Sequence, residues 1–326
     1  MEAFVVSAPQ PGPAEQDVAN SDGFVVRFER LLANVSSVVV APEHTVRLAL
    51  LGLFAQGHVL VEDLPGVGKT LLAKSIADSI DGRFTRVQFT PDLLPSDITG
   101  SSIYNAQTHA FDFMPGPVFT NVLLADELNR TNPRTQSALL EAMAEGQVTA
   151  DGQTRSLPEP FMVIATQNTM DSSGTFPLPD TELDRFLVRI SIGLPTEQAE
   201  LEIISRSEHG SPALRPVLRV ADILDMQETV RRVAVALPVR EYLVRIASNL
   251  RAHPSVRGGM SPRGTTLLLR AAQGWAASDG RDYVTPEDVK AVAVAVLAHR
   301  IRTDEQEPGA AEVIVLESLR RVAVPV

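Results

Sequence analysis

Residues 58–70 read HVLVEDLPGVGKT and combine a strand, a loop and the start of a helix. The apolar run at 58–61 predicts a short buried strand, and a helical pattern follows at 71–80. The loop between them is rich in proline and glycine and ends in Lys69 and Thr70. In such a loop, small residues let backbone N–H groups surround phosphate oxygens, and the helix N-terminus adds positive potential. The segment therefore predicts a phosphate-binding loop.

This loop contains side chains that are expected to bind a nucleoside triphosphate. Lys69 is expected to reach the β- and γ-phosphates, and the hydroxyl of Thr70 is expected to bind Mg²⁺. Asp63 departs from the general G-x-x-x-x-G-K-[ST] pattern, which has glycine at that position. We assign ATP binding to the following residues of the loop and the helix start: Pro65, Gly66, Val67, Gly68, Lys69, Thr70 and Leu71.

The sequence around the loop predicts an α/β domain with a parallel sheet. Further strand patterns lie at residues 84–89, 121–125 and 160–166, and a helical pattern lies at 44–55. Strands that alternate with helices are typical of parallel sheets, which bind ligands at the carboxyl ends of their strands. We therefore expect the phosphate-binding loop and the residues after the other strands to form one site.

The composition changes along the chain and divides it into three segments. Residues 1–22 are rich in proline, glycine and small or polar residues and are predicted to be a flexible tail. The α/β domain is placed at 23–196. Beyond it the strand patterns nearly vanish, and an all-helical second domain is predicted at 197–326. Its predicted helices lie at 220–235, 240–251, 265–277 and 286–300.

Two adjacent carboxylates, Asp126 and Glu127, follow the apolar run at 122–125. In a parallel sheet they lie near the phosphate-binding loop, where Asp126 is expected to hold Mg²⁺ and Glu127 to activate the attacking water. The next strand leads to Asn168, whose amide can hydrogen-bond the γ-phosphate or that water. Arg185 and Arg263 are cations suited to phosphate oxygens. From the residues alone, the simpler interpretation of both arginines is an ordinary surface ion pair.

Several ordered blocks of the chain resemble MoxR-type AAA+ ATPases. They are HVLVEDLPGVGKT, LLADELNRTNPRTQSALLEAMAEGQVT, PFMVIATQNT, GTFPLPDTELDRF, SPRGTTLLLRAAQGWA and YVTPEDVKAVAVAVLAHRI. The resemblance implies a P-loop αβα nucleotide domain followed by a helical lid. It also implies Mg-ATP hydrolysis between the subunits of a homo-oligomeric ring, usually a hexamer. The implied role is chaperone-like remodelling or maturation of client proteins, of which metal-cofactor insertion is one task, together with a von Willebrand factor A domain partner.

The resemblance also assigns roles to individual residues. Asn168 matches the sensor 1 amide, Arg185 the arginine finger that reaches a neighbouring subunit's ATP, and Arg263 the sensor 2 arginine that links the lid to the nucleotide. Arg130 and Arg134 remain competitors for the intersubunit role.

Other features that resemble the family, or depart from it, concern the loops. Residues 95–117 and 147–155 match hairpin inserts that can face the pore and the substrate in such ATPases, and plain edge hairpins are the alternative. Ala41-Pro42 stands in a region where relatives tend to carry Gly-Gln, so the contacts to the adenine stay open.

Composition limits the possible partners. The chain has 29 basic and 40 acidic residues, and its net charge of −11 opposes attraction to nucleic acid and to anionic lipid. A ring motor on DNA is therefore the weakest of the functional hypotheses. The absence of cysteine excludes disulfides and thiolate metal sites.

Location and catalytic activity are the remaining expectations. The N-terminal sequence lacks the pattern of a secretory signal, and no apolar run is long enough for membrane insertion, so we expect a cytoplasmic protein. The main alternative to an ATPase is a nucleotide-gated scaffold that binds ATP with negligible turnover. Release of phosphate distinguishes the two.

Overall fold

The structure is a computed structural model that describes residues 13–64, 66–167, 174–209, 213–303 and 309–325. The first part of the chain forms an α/β domain. Its elements are α1 (Pro13–Ser36), α2 (Glu43–Phe54), β1 (Val59–Glu62), α3 (Lys69–Ser79), β2 (Phe84–Gln88), α4 (Pro95–Thr99), β3 (Gly100–Asn105), β4 (Ala110–Pro115), β5 (Val122–Asp126), α5 (Pro133–Glu145), β6 (Gln147–Ala150), β7 (Gln153–Ser156), β8 (Met162–Gln167), α6 (Asp180–Leu183) and β9 (Val188–Ile190).

The second part of the chain forms a mainly helical lid. Its elements are α7 (Glu197–His209), α8 (Val220–Arg232), α9 (Leu237–Arg251), β10 (Val256–Gly258), α10 (Pro262–Ser278), α11 (Pro286–Leu297), β11 (Arg302–Thr303) and α12 (Ala310–Arg321). β10 and β11 pair in antiparallel fashion, which corrects the prediction of an all-helical domain. These two strands are shorter than the runs from which strands are recognised in a sequence.

Five parallel strands form the sheet that positions the site. Their order is β2-β5-β8-β1-β9, and every neighbouring pair is parallel. The predicted parallel sheet is confirmed, and β9 is an additional edge strand beside β1. Since all five strands run in one direction, their carboxyl ends share one edge of the sheet and their amino ends share the other.

Helices cover both faces of the sheet and bury it. Val59 and Val61 of β1 share a hydrophobic cluster with Leu72 of α3. Leu60, between them in sequence, belongs to a second cluster that contains Leu139 of α5. Alternate strand residues thus point to opposite helical layers, as the period of two requires. The result is the predicted αβα arrangement.

α1 packs against both the α/β domain and the lid. Phe24 and Phe28 lie against Phe54 of α2, with ring centroids 5.4 and 5.7 Å apart. The same hydrophobic cluster includes Ile223 of α8 and Leu268 of α10. The two parts of the chain therefore share one apolar core.

The start of α1 corrects the predicted extent of the N-terminal tail. The helix begins at Pro13, so residues 13–22 belong to it. Proline is well tolerated in the first turn of a helix, where its missing N–H has no partner in any case. The remainder of the predicted tail, residues 1–12, lies outside the described residues.

Both predicted hairpins are confirmed. β3 pairs with β4, and β6 pairs with β7, each in antiparallel fashion. The hairpins contact each other, because the guanidinium of Arg155 lies 3.8 Å from the centroid of the Phe113 ring. This cation–π distance ties the second hairpin to the first.

His58 is a buried histidine that connects two layers of the domain. Its Nε2–H donates to the carbonyl of Met143 at 3.0 Å, and its Nδ1 accepts the Val163 backbone N–H at 3.0 Å. Burial lowers the pKa of His58 to about 4. Protonation of Nδ1 would also displace the Val163 N–H. The folded protein therefore holds His58 neutral.

We expect acid to destabilise the fold through His58. The pKa of His58 is depressed in the folded state. The contribution of the neutral imidazole to stability is therefore complete above about pH 6.5 and is lost as the pH falls towards 4. Through this linkage, the free energy of unfolding falls by about 2 kcal/mol between pH 7 and pH 5. Urea unfolding at both pH values measures it, and His58→Asn is expected to reduce the pH dependence although it lowers stability at pH 7. An equal pH dependence in that variant would contradict the assignment.

Candidate active site

The phosphate-binding loop follows β1 and leads directly into α3. Gly66 and Gly68 have φ values of +84° and +99°, which L side chains rarely adopt. A Cβ at either position would meet no protein atom within 4 Å, so it would project into the open concavity of the loop. This is the geometry that exposes backbone N–H groups to a phosphate. Of the assigned loop residues, Pro65 lies outside the described residues.

The two side chains expected to bind phosphate and metal stand at the start of α3. Lys69 Nζ donates to the carbonyl of Asp63 at 3.0 Å, so its ammonium lies across the mouth of the loop. Thr70 is half-buried in the first turn of α3. Both groups are therefore at the helix N-terminus, where the dipole favours bound anions.

Asp63, the departure from the general loop pattern, has a structural task that the sequence did not reveal. Its side chain is buried, and its Oδ1 accepts hydrogen bonds from Ser191 Oγ at 2.9 Å and from the Gly193 N–H at 3.2 Å. Its Oδ2 accepts the N–H of Ile192. The carboxylate thus faces the exit of β9 and anchors the loop to the segment that leads into the lid.

We expect Asp63→Gly to weaken nucleotide binding about tenfold, although it restores the general pattern, since losing one such charged hydrogen bond costs about 1.4 kcal/mol. Titration with a fluorescent ATP analogue measures the affinity. Asp81→Gly is the matched control, because Asp81 is an exposed turn residue with φ +52° beyond the end of α3. Unchanged or tighter nucleotide binding by Asp63→Gly would show that the Asp63 carboxylate is not needed to hold the loop in its binding conformation.

Asp126 ends β5 at the same edge of the sheet as the loop. Its Oδ1 accepts from Thr166 Oγ1 at 2.7 Å, and its Oδ2 accepts from Arg86 Nη2 at 2.6 Å. The Thr166 oxygen also accepts the Glu127 N–H at 2.9 Å. Thr166 and Arg86 stand on the strands that flank β5, and neither of them was assigned a role from the sequence. The carboxylate is therefore held from both sides.

Glu127 has a left-handed backbone, with φ +57°, that turns its side chain out of the strand direction. Such a conformation is uncommon for a residue other than glycine and is found preferentially at functional sites. Glu127 Oε2 accepts from Gln88 Nε2 at 2.8 Å and from Arg130 Nη1 at 2.9 Å. Arg130 thus contacts the carboxylate of its own chain. Arg134 is exposed in the first turn of α5.

A cavity of about 520 Å³ adjoins the phosphate-binding loop. This volume is typical of small-molecule sites. Leu71, one of the assigned residues, lies on its wall together with loop residues 66–68. The other lining residues are Val38, Val39, Val40, Gly193, Leu194, Pro195, Glu200, Ile203 and Arg206. The cavity offers an apolar space for a base beside the place where the phosphates bind.

Arg185 lies at the opposite edge of the sheet from the phosphate-binding loop. β1 and β9 are parallel and pair Val59 with Val188, so Arg185 precedes the strands that the loop follows. The four residues of β1 alone span about 13 Å. The Arg185 guanidinium donates to the carbonyl of Leu140. Within one chain, Arg185 is therefore separated from the loop.

Arg263 lies near Arg185, in the first turn of α10. Ser261, the N-cap of this helix, donates to Asp184 Oδ2 at 2.7 Å. Arg263 also lowers the pKa of buried His58 and Arg300 electrostatically, as a minor effect beside their burial. These contacts place Arg263 towards the amino edge of the sheet. Asn168, the remaining predicted catalytic residue, lies outside the described residues.

No helix in the described ranges is both long and apolar enough to cross a bilayer.

Comparison with known proteins agrees with this architecture. Residues 58–188 match the model of the ATPase family associated with various cellular activities (AAA), and residues 248–319 match the AAA lid domain. The crystal structure of a Cytophaga hutchinsonii protein superposes with a TM-score of 0.87 at 34% identity. The match covers 96% of this chain and 99% of that one.

Relatives of similar length extend the comparison to the family. The uncharacterized Bacillus subtilis protein YeaC is 47% identical, with 91% of this chain and 94% of YeaC covered. Chaperone MoxR1 of Mycobacterium tuberculosis is 39% identical, with 97% and 86% covered. The chain is thus a nucleotide-binding ATPase, and it belongs to the MoxR-type family of AAA+ ATPases.

Proposed function

We propose that this protein hydrolyses Mg-ATP between neighbouring subunits of a ring and uses the cycle to remodel client proteins. The supporting observation is the separation of the catalytic groups within one chain. Lys69 and Glu127 lie at the carboxyl edge of the sheet, whereas Arg185 and Arg263 lie towards the amino edge. A site that contains all four groups therefore needs two copies of the chain.

In the first step, the loop binds the triphosphate. Its backbone N–H groups and the Lys69 ammonium hold the phosphates, and the cavity beside the loop takes the base. The oxygen donors of Thr70 and Asp126 suit Mg²⁺, which prefers carboxylate and hydroxyl oxygens together with water. When bound there, Mg²⁺ would neutralise charge on the β- and γ-phosphates.

In the second step, Glu127 orients a water molecule and accepts its proton as the water oxygen bonds to the γ-phosphorus. The bond from the γ-phosphorus to the bridging oxygen breaks, and ADP and phosphate form. Arg185 of the adjacent subunit stabilises the charge that develops on the phosphoryl oxygens. Arg263 of that subunit brings its lid to the same nucleotide. Because Asn168 matches the sensor 1 amide of the family, we assign its amide to a hydrogen bond with the γ-phosphate or the attacking water.

The client-directed part of the proposal has its own support. The β3–β4 hairpin exposes Ile103, Tyr104, Phe111 and Met114, which suits contact with apolar segments of a client. A relative is named a chaperone. The hexamer, the von Willebrand factor A domain partner and metal-cofactor insertion as a client task rest on the family resemblance. A cytoplasmic location is likewise proposed from the sequence.

ATP turnover per subunit, measured over a wide range of protein concentration, tests the proposal. Lys69→Ala serves as the blank, because it removes the ammonium that binds phosphate. Catalysis between subunits predicts a rate per subunit that rises as rings form. A rate well above the blank but independent of concentration would contradict it. Nucleotide binding with turnover at the level of the blank would instead favour the nucleotide-gated scaffold.

A further inference from the structure

A buried arginine of the lid holds the chain immediately around Arg185. Arg300 follows α11, and only 1% of its side chain is exposed. Its Nε donates to Asp184 Oδ1 at 2.9 Å, and its Nη2 donates to the backbone carbonyls of Asp184 and Phe186. A charge buried to this degree requires an ionic partner and several hydrogen bonds. Arg300 therefore fixes the backbone on both sides of Arg185.

The same aspartate also contacts the helix that carries Arg263. Asp184 Oδ2 accepts from Ser261 Oγ at 2.7 Å. Ser261 in turn accepts the Gly264 N–H at 3.2 Å as the N-cap of α10. One carboxylate thus links the Arg185 segment to two separate parts of the lid.

We propose that Asp184 and Arg300 form a positioning clamp that presents Arg185 and Arg263 together to the nucleotide of the neighbouring subunit. Arg185 is next to Asp184 in the chain, and Arg263 is two residues beyond Ser261. Each contact of the clamp fixes the backbone from which one of the two arginines projects. The inference rests on the proposed function, since it assumes that both arginines act between subunits.

A clamp and a purely structural ion pair predict different effects of Asp184→Asn. The clamp predicts that kcat falls tenfold to a hundredfold, because small misplacements of a catalytic group carry costs of about that size. Affinity for ATP is expected to stay within about twofold, because the phosphate-binding loop lies at the other edge of the sheet.

Asp180→Asn is the matched control. Asp180 stands in the same segment and also pairs with a lid arginine, Arg302, but both side chains are largely exposed. Exposed pairs of this kind contribute little, so turnover near that of the unmodified protein is expected. An equal loss of kcat in both variants would overturn the specific role of Asp184.

Mixed rings provide a readout that a structural role would not change. Co-expression of Asp184→Asn and Lys69→Ala chains with different tags, followed by purification on both tags, yields rings that contain both. In an equimolar ring with random neighbours, about a quarter of the interfaces combine an intact loop with an intact clamp. The clamp therefore predicts turnover well above that of either variant alone.

A reference mixture of Arg185→Ala and Lys69→Ala chains distinguishes failure of the clamp from failure of the proposed function. If the reference mixture regains turnover and the Asp184→Asn mixture does not, the clamp is wrong and hydrolysis between subunits stands. If neither mixture regains turnover, the proposed function fails and the clamp fails with it.

Ser261 keeps the inference testable if Asp184→Asn does not fold. Ser261→Ala removes one contact of the clamp, whereas Ser261→Thr keeps the hydroxyl at the same N-cap. We expect a lower kcat in Ser261→Ala at unchanged ATP affinity, and recovery in Ser261→Thr. If Ser261→Ala turns over ATP as fast as the unmodified protein, the contact between Asp184 and the start of α10 does not contribute to positioning.

Discussion

Arg185→Ala is expected to lower ATP turnover by about 10³- to 10⁵-fold, the effect of an arginine finger in other nucleotide hydrolases. This factor corresponds to roughly 4–7 kcal/mol of transition-state stabilisation. ATP affinity is expected to change little, because Arg185 lies at the opposite edge of the sheet from its own phosphate-binding loop. The rise of turnover with protein concentration should disappear. Phosphate release and nucleotide titration on the same preparation measure both effects.

The other arginines near the site test this assignment. Arg134→Ala is the matched control, because Arg134 is an exposed arginine at the start of α5. Arg130 contacts Glu127 of its own chain, so Arg130→Ala is expected to change the catalytic carboxylate within the subunit. In mixed rings with Lys69→Ala, turnover should be restored to Arg185→Ala but not to Arg130→Ala. The reverse pattern would identify Arg130 as the residue that acts between subunits.

The parts of the fold that the sequence predicted are those with long or sharply bounded patterns. β1, β5 and β8 are apolar runs next to polar residues, and the structure places all three inside the sheet. β9 was missed because it has only three residues and begins two residues after the Asp184-Arg185-Phe186 motif. The start of α1 was missed because its prolines and small residues resemble a linker.

The residues of the candidate site also fall into two groups, those that the sequence predicted and those that it did not. Lys69, Thr70, Asp126 and Glu127 belong to contiguous motifs, and the structure places them at the carboxyl edge of the sheet, as expected. Contacts between strands have no such signature. Arg86 reaches Asp126 from β2 across 40 residues of sequence, and Asp63 reaches the exit of β9 across a still longer separation. Parallel pairing sets these contacts, and a single sequence does not report the order of its strands.

Glu127→Gln is expected to retain ATP and to lower hydrolysis by about 10²- to 10⁴-fold, the contribution of a positioned general base. Glutamine has nearly the same shape, and its carbonyl oxygen can still accept a hydrogen bond from Gln88 or Arg130. It cannot accept the proton of the attacking water at neutral pH. The variant should therefore bind ATP and assemble like the unmodified protein while the chemical step fails.

Single-turnover hydrolysis of labelled ATP, followed together with nucleotide retention, separates the chemical step from binding. Glu141→Gln is the matched control, because Glu141 is an exposed glutamate on α5. Loss of ATP binding in Glu127→Gln would indicate that the carboxylate holds the loop or the metal rather than the water. Turnover equal to that of the control would remove Glu127 from the chemistry. A trapped, assembled ATP state would support the assignment, because removal of the base alone leaves every binding contact of the subunit in place.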